Sequence, residues 1–183
     1  VVGALLAGTY TADVSLSPIE IDSACPMCGD GPLLAEYAEE HVMVNCTRCD
    51  SWLSQFTFPP GTVEQFDREQ LPDAFDRWLR TTLQRTFAGF CTTCSGRMSG
   101  ALELVDDRPA PARAIYDCER CGETAMTSPA SPLLYHPAAM GFFYDHDIVV
   151  TETPTWEIWS QDDLEYELLS EDPVSVQVGL TLA

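Results

Sequence analysis

All eight cysteines of this chain fall in four Cys-x-x-Cys pairs: Cys25/Cys28, Cys46/Cys49, Cys91/Cys94 and Cys118/Cys121. No other feature constrains the fold as strongly. A CxxC turn presents two thiolates from one tight loop, and two such turns close a tetrahedron around Zn²⁺ at about 2.3 Å per sulfur. Seventeen residues separate the first two pairs, twenty-three the last two and forty-one the middle two. The first spacing suits a four-cysteine zinc site, and the second is slightly long, as an extended hairpin would make it. Disulfides would suit a secreted chain, but the opening VVGALLAG lacks the basic flank of a signal peptide. A redox CxxC occurs once, at a strand-to-helix turn, and ferredoxin-type runs are more tightly clustered. The pattern therefore predicts two structural Zn²⁺ ions per chain. Four thiolates per ion leave no position for water or substrate, which argues against catalytic zinc. Of the three ways to pair the motifs, sequential pairing closes the shortest loops. It assigns Cys25, Cys28, Cys46 and Cys49 to one site and Cys91, Cys94, Cys118 and Cys121 to the other. A cross-braced arrangement is the alternative.

The cysteines also mark a duplicated unit. After Cys28 comes the turn Gly29-Asp30-Gly31, then strands over 33–37 and 41–45 around Glu39-Glu40. Cys46-Thr47-Arg48-Cys49 and a third strand over 52–58 follow. After Cys94 the order returns: a strand over 97–105, a polar turn over 106–111, a strand over 112–117, Cys118-Glu119-Arg120-Cys121 and an extended piece to Met126. Each second CxxC carries Arg at the same place, Arg48 and Arg120. Two zinc ribbons are the simplest account, with metal supplying folding energy that so small a unit lacks.

Between them the sequence turns helical. Thr62 is placed to cap a short helix through Arg68, and Leu71-Pro72-Asp73 starts a longer one. Phe75, Trp78, Leu79, Leu83 and Phe87 form one apolar stripe. Arg77, Arg80 and Arg85 lie mostly off it, as a solvated face would, with a basic groove-binding face as the other reading. The C-terminal third predicts a short helix beginning at Pro137, then strands. Trp156 and Ile158 alternate with Glu157, Leu164, Tyr166 and Leu168 with acids, and Val174 to Leu182 with small or polar residues, with a turn at Ser170-Glu171-Asp172-Pro173. The expected class is α+β: two Cys₄ ribbons joined by a helical segment, plus an antiparallel β-meander. The divisions are a helix tail and linker over 1–22, ribbon one over 23–60, a helical connector over 61–90, ribbon two over 91–128, and a helix with meander over 129–183. Asp145-His146-Asp147 reads as a loop acid pair beside a surface His. Phe142, Phe143, Tyr144, Trp156 and Trp159 read as core rather than as the lining of an apolar pocket.

Charge reports the solvent. There are 9 basic residues, all Arg, against 29 acids, a net of −20, and no Lys occurs. Such a surface repels itself at low salt and is screened when the Debye length shrinks to about 3 Å at 1 M. The composition resembles that of cytoplasmic proteins of salt-accumulating archaea. No run of eighteen apolar residues exists to cross a membrane. The chain starts at Val1 without an initiator Met, as a fragment would.

The stretches CPMCGDGPLLAEYAEEHVMVNCTRC (25–49), FPPGTVEQFDREQLPDAFDRWLRTTLQRTFAGFC (58–91), CERCG (118–122), LLYHPAAMGFFYDH (133–146) and ELLSEDPVSVQV (167–178) carry a resemblance. They resemble the C-terminal zinc-ribbon region of winged-helix, ArsR-like helix-turn-helix transcriptional regulators of halophilic archaea. The resemblance implies that Val1–Tyr10 ends a helix that follows the wing and takes part in a homodimer contact. It also implies that DNA is read only by an N-terminal winged-helix domain that this sequence lacks. The function expected is that of a non-catalytic, zinc-binding accessory domain that senses a small-molecule effector or binds a protein partner. The alternative is a zinc-ribbon protein that acts directly on DNA or RNA. No nucleophile–base pair or open metal site points to an enzyme.

Overall fold

The computed structural model describes residues 8–10, 13–106 and 110–182. They form a mixed α and β structure with antiparallel sheets. The chain divides into two units, one of Val1–Arg80 with Pro154–Glu157, the other of Thr81–Thr153 with Ile158–Ala183. The expected helix tail over Val1–Tyr10 lies outside the described residues except for Gly8–Tyr10, which form a turn.

The first unit is built on a four-stranded sheet in the order β1 (Leu16–Ala24), β2 (Pro32–Ala38), β3 (His41–Cys46), β4 (Trp52–Thr57). The linker expected up to residue 22 is instead largely strand from Leu16 onward. The alternation of buried Ile19 and Ile21 with exposed Glu20 and Asp22 makes it a strand, paired with β2 through Ile19↔Ala35 and Ile21↔Leu33. Glu39 and Glu40 both have positive φ, 50° and 63°, as a two-residue hairpin with the right twist requires. One face of the sheet buries Leu33, Ala35, Val42, Val44 and Phe56. The short helix α1 covers Pro60–Val63, with Pro59 rather than Thr62 at its N-cap. A 3-10 turn at Arg68–Gln70 then leads into α2 (Leu71–Phe87). Phe75 of α2 meets Phe58 edge-on at 4.9 Å and Phe56 at 6.5 Å.

The Arg face expected on α2 is not a uniform solvated face. Arg80 is buried and bridges Asp76, one turn earlier, at 2.8 Å. The other Asp76 oxygen accepts from the backbone N–H and the hydroxyl of Thr155, at 2.8 and 2.9 Å. Trp156 Nε1 donates to Ser23 Oγ at 3.2 Å, and Ser23 in turn donates to Glu157. The expected strand through Trp156 and Ile158 is therefore a turn, because its backbone donors are spent on Asp76 and on Pro154.

In the second unit a three-stranded sheet runs β5 (Met98–Leu104), β6 (Ala112–Cys118), β7 (Thr124–Thr127). Helix α3 (Pro137–Asp145) follows, and β8 (Leu164–Glu171) pairs with β9 (Val174–Leu180). The expected meander is thus a single two-stranded hairpin, with its turn where Asp172-Pro173 predicts it. Leu134, Phe143, Val150 and Ile158 form its core, with Trp159, Leu180 and Leu182 packed against them.

Candidate metal centres

Each cysteine pair sits where a strand ends or is about to begin. Cys25 follows β1, Cys46 closes β3, and Cys118 closes β6. Four knuckles share one hydrogen-bond frame. Cys25 N–H donates to Gly31 O at 3.0 Å, Cys46 to Ser51 O at 3.0 Å, Cys91 to Gly96 O at 2.8 Å, and Cys118 to Glu123 O at 2.8 Å. The residue after the second cysteine has positive φ in all four: Gly29 (74°), Asp50 (54°), Ser95 (57°) and Gly122 (76°). That left-handed step turns the chain back across the sulfurs, and Gly takes it at no steric cost. Backbone N–H groups then point at sulfur: Met27 at Cys25, Arg48 at Cys46 and Gly96 at Cys94, each at 3.3 Å, and Arg120 at Cys118, at 3.4 Å.

The structure brings the pairs together sequentially. In each group, Cys25, Cys28, Cys46 and Cys49, and Cys91, Cys94, Cys118 and Cys121, the four sulfurs lie within 4.8 Å of one another. The close Sγ···Sγ separations are 3.8 Å for Cys25–Cys49, 3.8 Å for Cys28–Cys46, 3.7 Å for Cys91–Cys121 and 3.5 Å for Cys94–Cys118. A tetrahedron with bonds of about 2.3 Å has edges of about 3.8 Å. A disulfide needs about 2.05 Å, and all eight thiols are free. The donor sets fit two zinc ions.

The local dipoles favour ionised sulfur at one ligand of each group. The Ser51 side chain and backbone N–H draw the Cys49 thiol down to about 6. The Cys121 backbone N–H, helped by that of Arg120, draws Cys118 down to about 6. Burial pushes Cys25 up to about 12, so a cation is what would hold all four as thiolates at neutral pH.

The two groups also match in the contacts beneath the sulfurs. Gly31 and Gly96 lie under the second knuckle of their groups. A Cβ on Gly31 would overlap Cys46 Sγ and meet Arg48 Cβ at 2.9 Å. One on Gly96 would meet Arg120 Cβ at 2.9 Å, Cys94 Sγ at 3.0 Å and Cys118 Sγ at 3.2 Å. Arg48 also bridges Asp30 across the first group at 2.6 Å. The equivalent arginines are legible in the sequence, and the glycines are harder to see there. Their signal was a Gly two or three residues past the first CxxC of each group.

The other candidates do not converge. His146 Nδ1 hydrogen-bonds Phe142 O at 2.8 Å, and its ring packs on Phe142, so Asp145-His146-Asp147 closes α3. Among the described residues, the two cysteine groups are the places where three or more metal-donor side chains meet. Of the five aromatics, Phe143 and Trp159 pack together at 5.8 Å, Tyr144 is exposed, and Trp156 belongs to the first unit.

No helix among the described residues is long and apolar enough to cross a membrane. No curated protein and no solved structure matches the chain. A family model matches residues 22–183, which include both cysteine groups, and the chain belongs to that family, a domain of unknown function (DUF7351).

Proposed function

We propose that the two cysteine groups are structural Zn²⁺ sites of a pair of zinc ribbons joined by α2, and that the whole is a non-catalytic accessory module of a transcriptional regulator. The observation that supports the zinc sites is the repeated all-cysteine donor set with tetrahedral sulfur spacing; the regulatory role rests on the sequence resemblance. A saturated site stabilises a fold and offers no position to a reactant. The module would work in the cytoplasm of a salt-accumulating cell, take a protein or small-molecule effector, and leave DNA to a winged-helix domain preceding it. A homodimer contact through the N-terminal segment belongs to the same reading.

Electrostatics separates this from direct action on nucleic acid. The formal charge is −20, and each Cys₄–Zn site adds about −2 if all thiolates are ionised. No Arg or Lys occurs after Arg120. Nine arginines, of which Arg80 is buried on Asp76, make a poor source of the roughly six to ten phosphate contacts of a strong binder. Elemental analysis should find two zinc ions per chain. In an anisotropy titration in moderate KCl, the chain should bind duplex DNA negligibly, and a form carrying the winged-helix domain should bind it. Micromolar or tighter binding by the chain alone would instead favour ribbons that read nucleic acid themselves.

A further inference from the structure

Resting on the reading of both groups as zinc sites, we infer that the first site is exchangeable, releasing its ion and reacting with thiophilic electrophiles at Cys28 and Cys49, while the second retains its metal. Three differences between the sites support this.

The first is access. Cys28 and Cys49, one from each knuckle, are both exposed, whereas in the second group only Cys121 is exposed and Cys94 is partly covered. The two exposed sulfurs lie on opposite close edges of the first tetrahedron, Cys49 against Cys25 and Cys28 against Cys46. A reagent can thus attack either half of the ligand set.

The second is anchoring. Arg85, in the last turn of α2, donates to Cys91 O at 3.3 Å and to Ser95 Oγ at 3.1 Å, tying a knuckle of the second group to a 17-residue helix. Across the first group the bonds stay within the knuckles and the strand end beside them: Arg48 to Asp30, and Thr47 Oγ1 to Pro32 O at the start of β2. The Arg48–Asp30 pair is well over half exposed on both sides, so water and salt weaken it.

The third is what the ligands are embedded in. Cys91, Met98 and Cys118 are themselves a core cluster, with Cys94 and Tyr116 packed on it. Taking the metal from that site dismantles the core around it. Cys25 and Cys46 are buried in the first unit too, but its sheet also buries Ile19, Ile21, Leu33, Ala35, Val42, Val44 and Phe56, an apolar core much larger than its two buried ligands. Its knuckles can therefore open while the sheet stays closed, a local opening of low cost.

The chemistry balances without an added oxidant. A zinc-bound thiolate attacks the methylene carbon of iodoacetamide, the C–S bond forms, the C–I bond breaks, and iodide leaves with its electron pair. The thioether that results carries no charge and holds zinc weakly, so the ion passes to water or a chelator.

The test uses the zinc-loaded chain with excess iodoacetamide and a chromogenic zinc chelator, and peptide mapping of each cysteine against time. Two release phases of equal amplitude are expected, with rates differing by about tenfold or more, the effect of about 1.4 kcal/mol in opening free energy. Cys28 and Cys49 should be labelled in the fast phase, and Cys91, Cys94, Cys118 and Cys121 in the slow one. Cys49→Ser should keep the slow ion at its original rate, and Cys121→Ser should lose it. A single phase, or labelling led by Cys94 or Cys121, overturns the inference while leaving two zinc sites in place. Fewer than two zinc ions before the reagent is added overturns the zinc reading itself.

Discussion

Gly31→Ala and Gly96→Ala should each weaken zinc binding at one site, and the structure sets the size of the effect. Neither glycine stands at a positive φ, so the penalty of Ala there is purely steric. At Gly31 the new methyl overlaps the Cys46 sulfur and lies 2.9 Å from Arg48 Cβ. Neither neighbour is the loose end of a side chain: Cys46 is almost completely buried, and a Cβ moves only with its backbone. At Gly96 the crowding is milder, 2.9 Å to Arg120 Cβ and 3.0 and 3.2 Å to two sulfurs. Overpacking of this kind costs about 1–3 kcal/mol. Because the displaced atoms are ligands, the cost falls on metal affinity, as a loss of about 5- to 150-fold, larger at Gly31 than at Gly96. Gly29→Ala and Gly122→Ala are the controls. Their φ values are 74° and 76°, and nothing lies within 4 Å of a Cβ there. Strain of about 1–2 kcal/mol in the left-handed region should lower stability and leave the ligands where they are. Asp50 and Ser95 already occupy the equivalent positions of the other two knuckles. Competition against a zinc chelator of known affinity, with thermal melts of the same proteins, separates the two effects. Unchanged zinc affinity in both Gly31→Ala and Gly96→Ala, or an equal loss in the controls, would refute the steric argument.

Three further outcomes can be checked. Asp76→Ala should cost about 3–5 kcal/mol in denaturant unfolding, because it leaves the buried Arg80 guanidinium without its carboxylate and frees two Thr155 donors; a loss under about 1 kcal/mol would show that the network contributes little. Both metals should be lost on acidification, since protons compete for the thiolates. Cys49 and Cys118 are depressed to about 6, so their stabilisation is present above the ordinary thiol range and lost as pH falls through about 6; full zinc retention at about pH 4 would contradict this. With 29 acids against 9 arginines, the melting temperature should rise with KCl between tens of millimolar and about 3 M, and a flat profile would show that charge repulsion is already balanced.

The sequence alone determined what is local. Four identical CxxC spacings fix which residues can face a cation, because a knuckle is built within a few residues of each pair. The hairpin at Glu39-Glu40, the long helix from Leu71 and the C-terminal hairpin were legible for the same reason: alternation, capping and turn chemistry act over short stretches. Only the tertiary structure decided what depends on partners far along the chain. Ser17-Pro18-Ile19-Glu20 looks like a linker until Ile19 and Ile21 find Ala35 and Leu33 across β2. Trp156 and Ile158 alternate like a strand, yet Asp76, seventy-nine residues away from Thr155, takes the donors that a ladder would have used. Arg80 looked like a surface cation because its partner Asp76 is buried by neighbours that the helix sequence does not contain. Loop-closure entropy favoured sequential pairing of the cysteines but left cross-bracing open; the 3.5–3.8 Å separations within each group are what joined Cys25 to Cys49 and Cys94 to Cys118. Gly31 and Gly96 were unremarkable as letters, since the space a missing methyl leaves has meaning only once a sulfur occupies it.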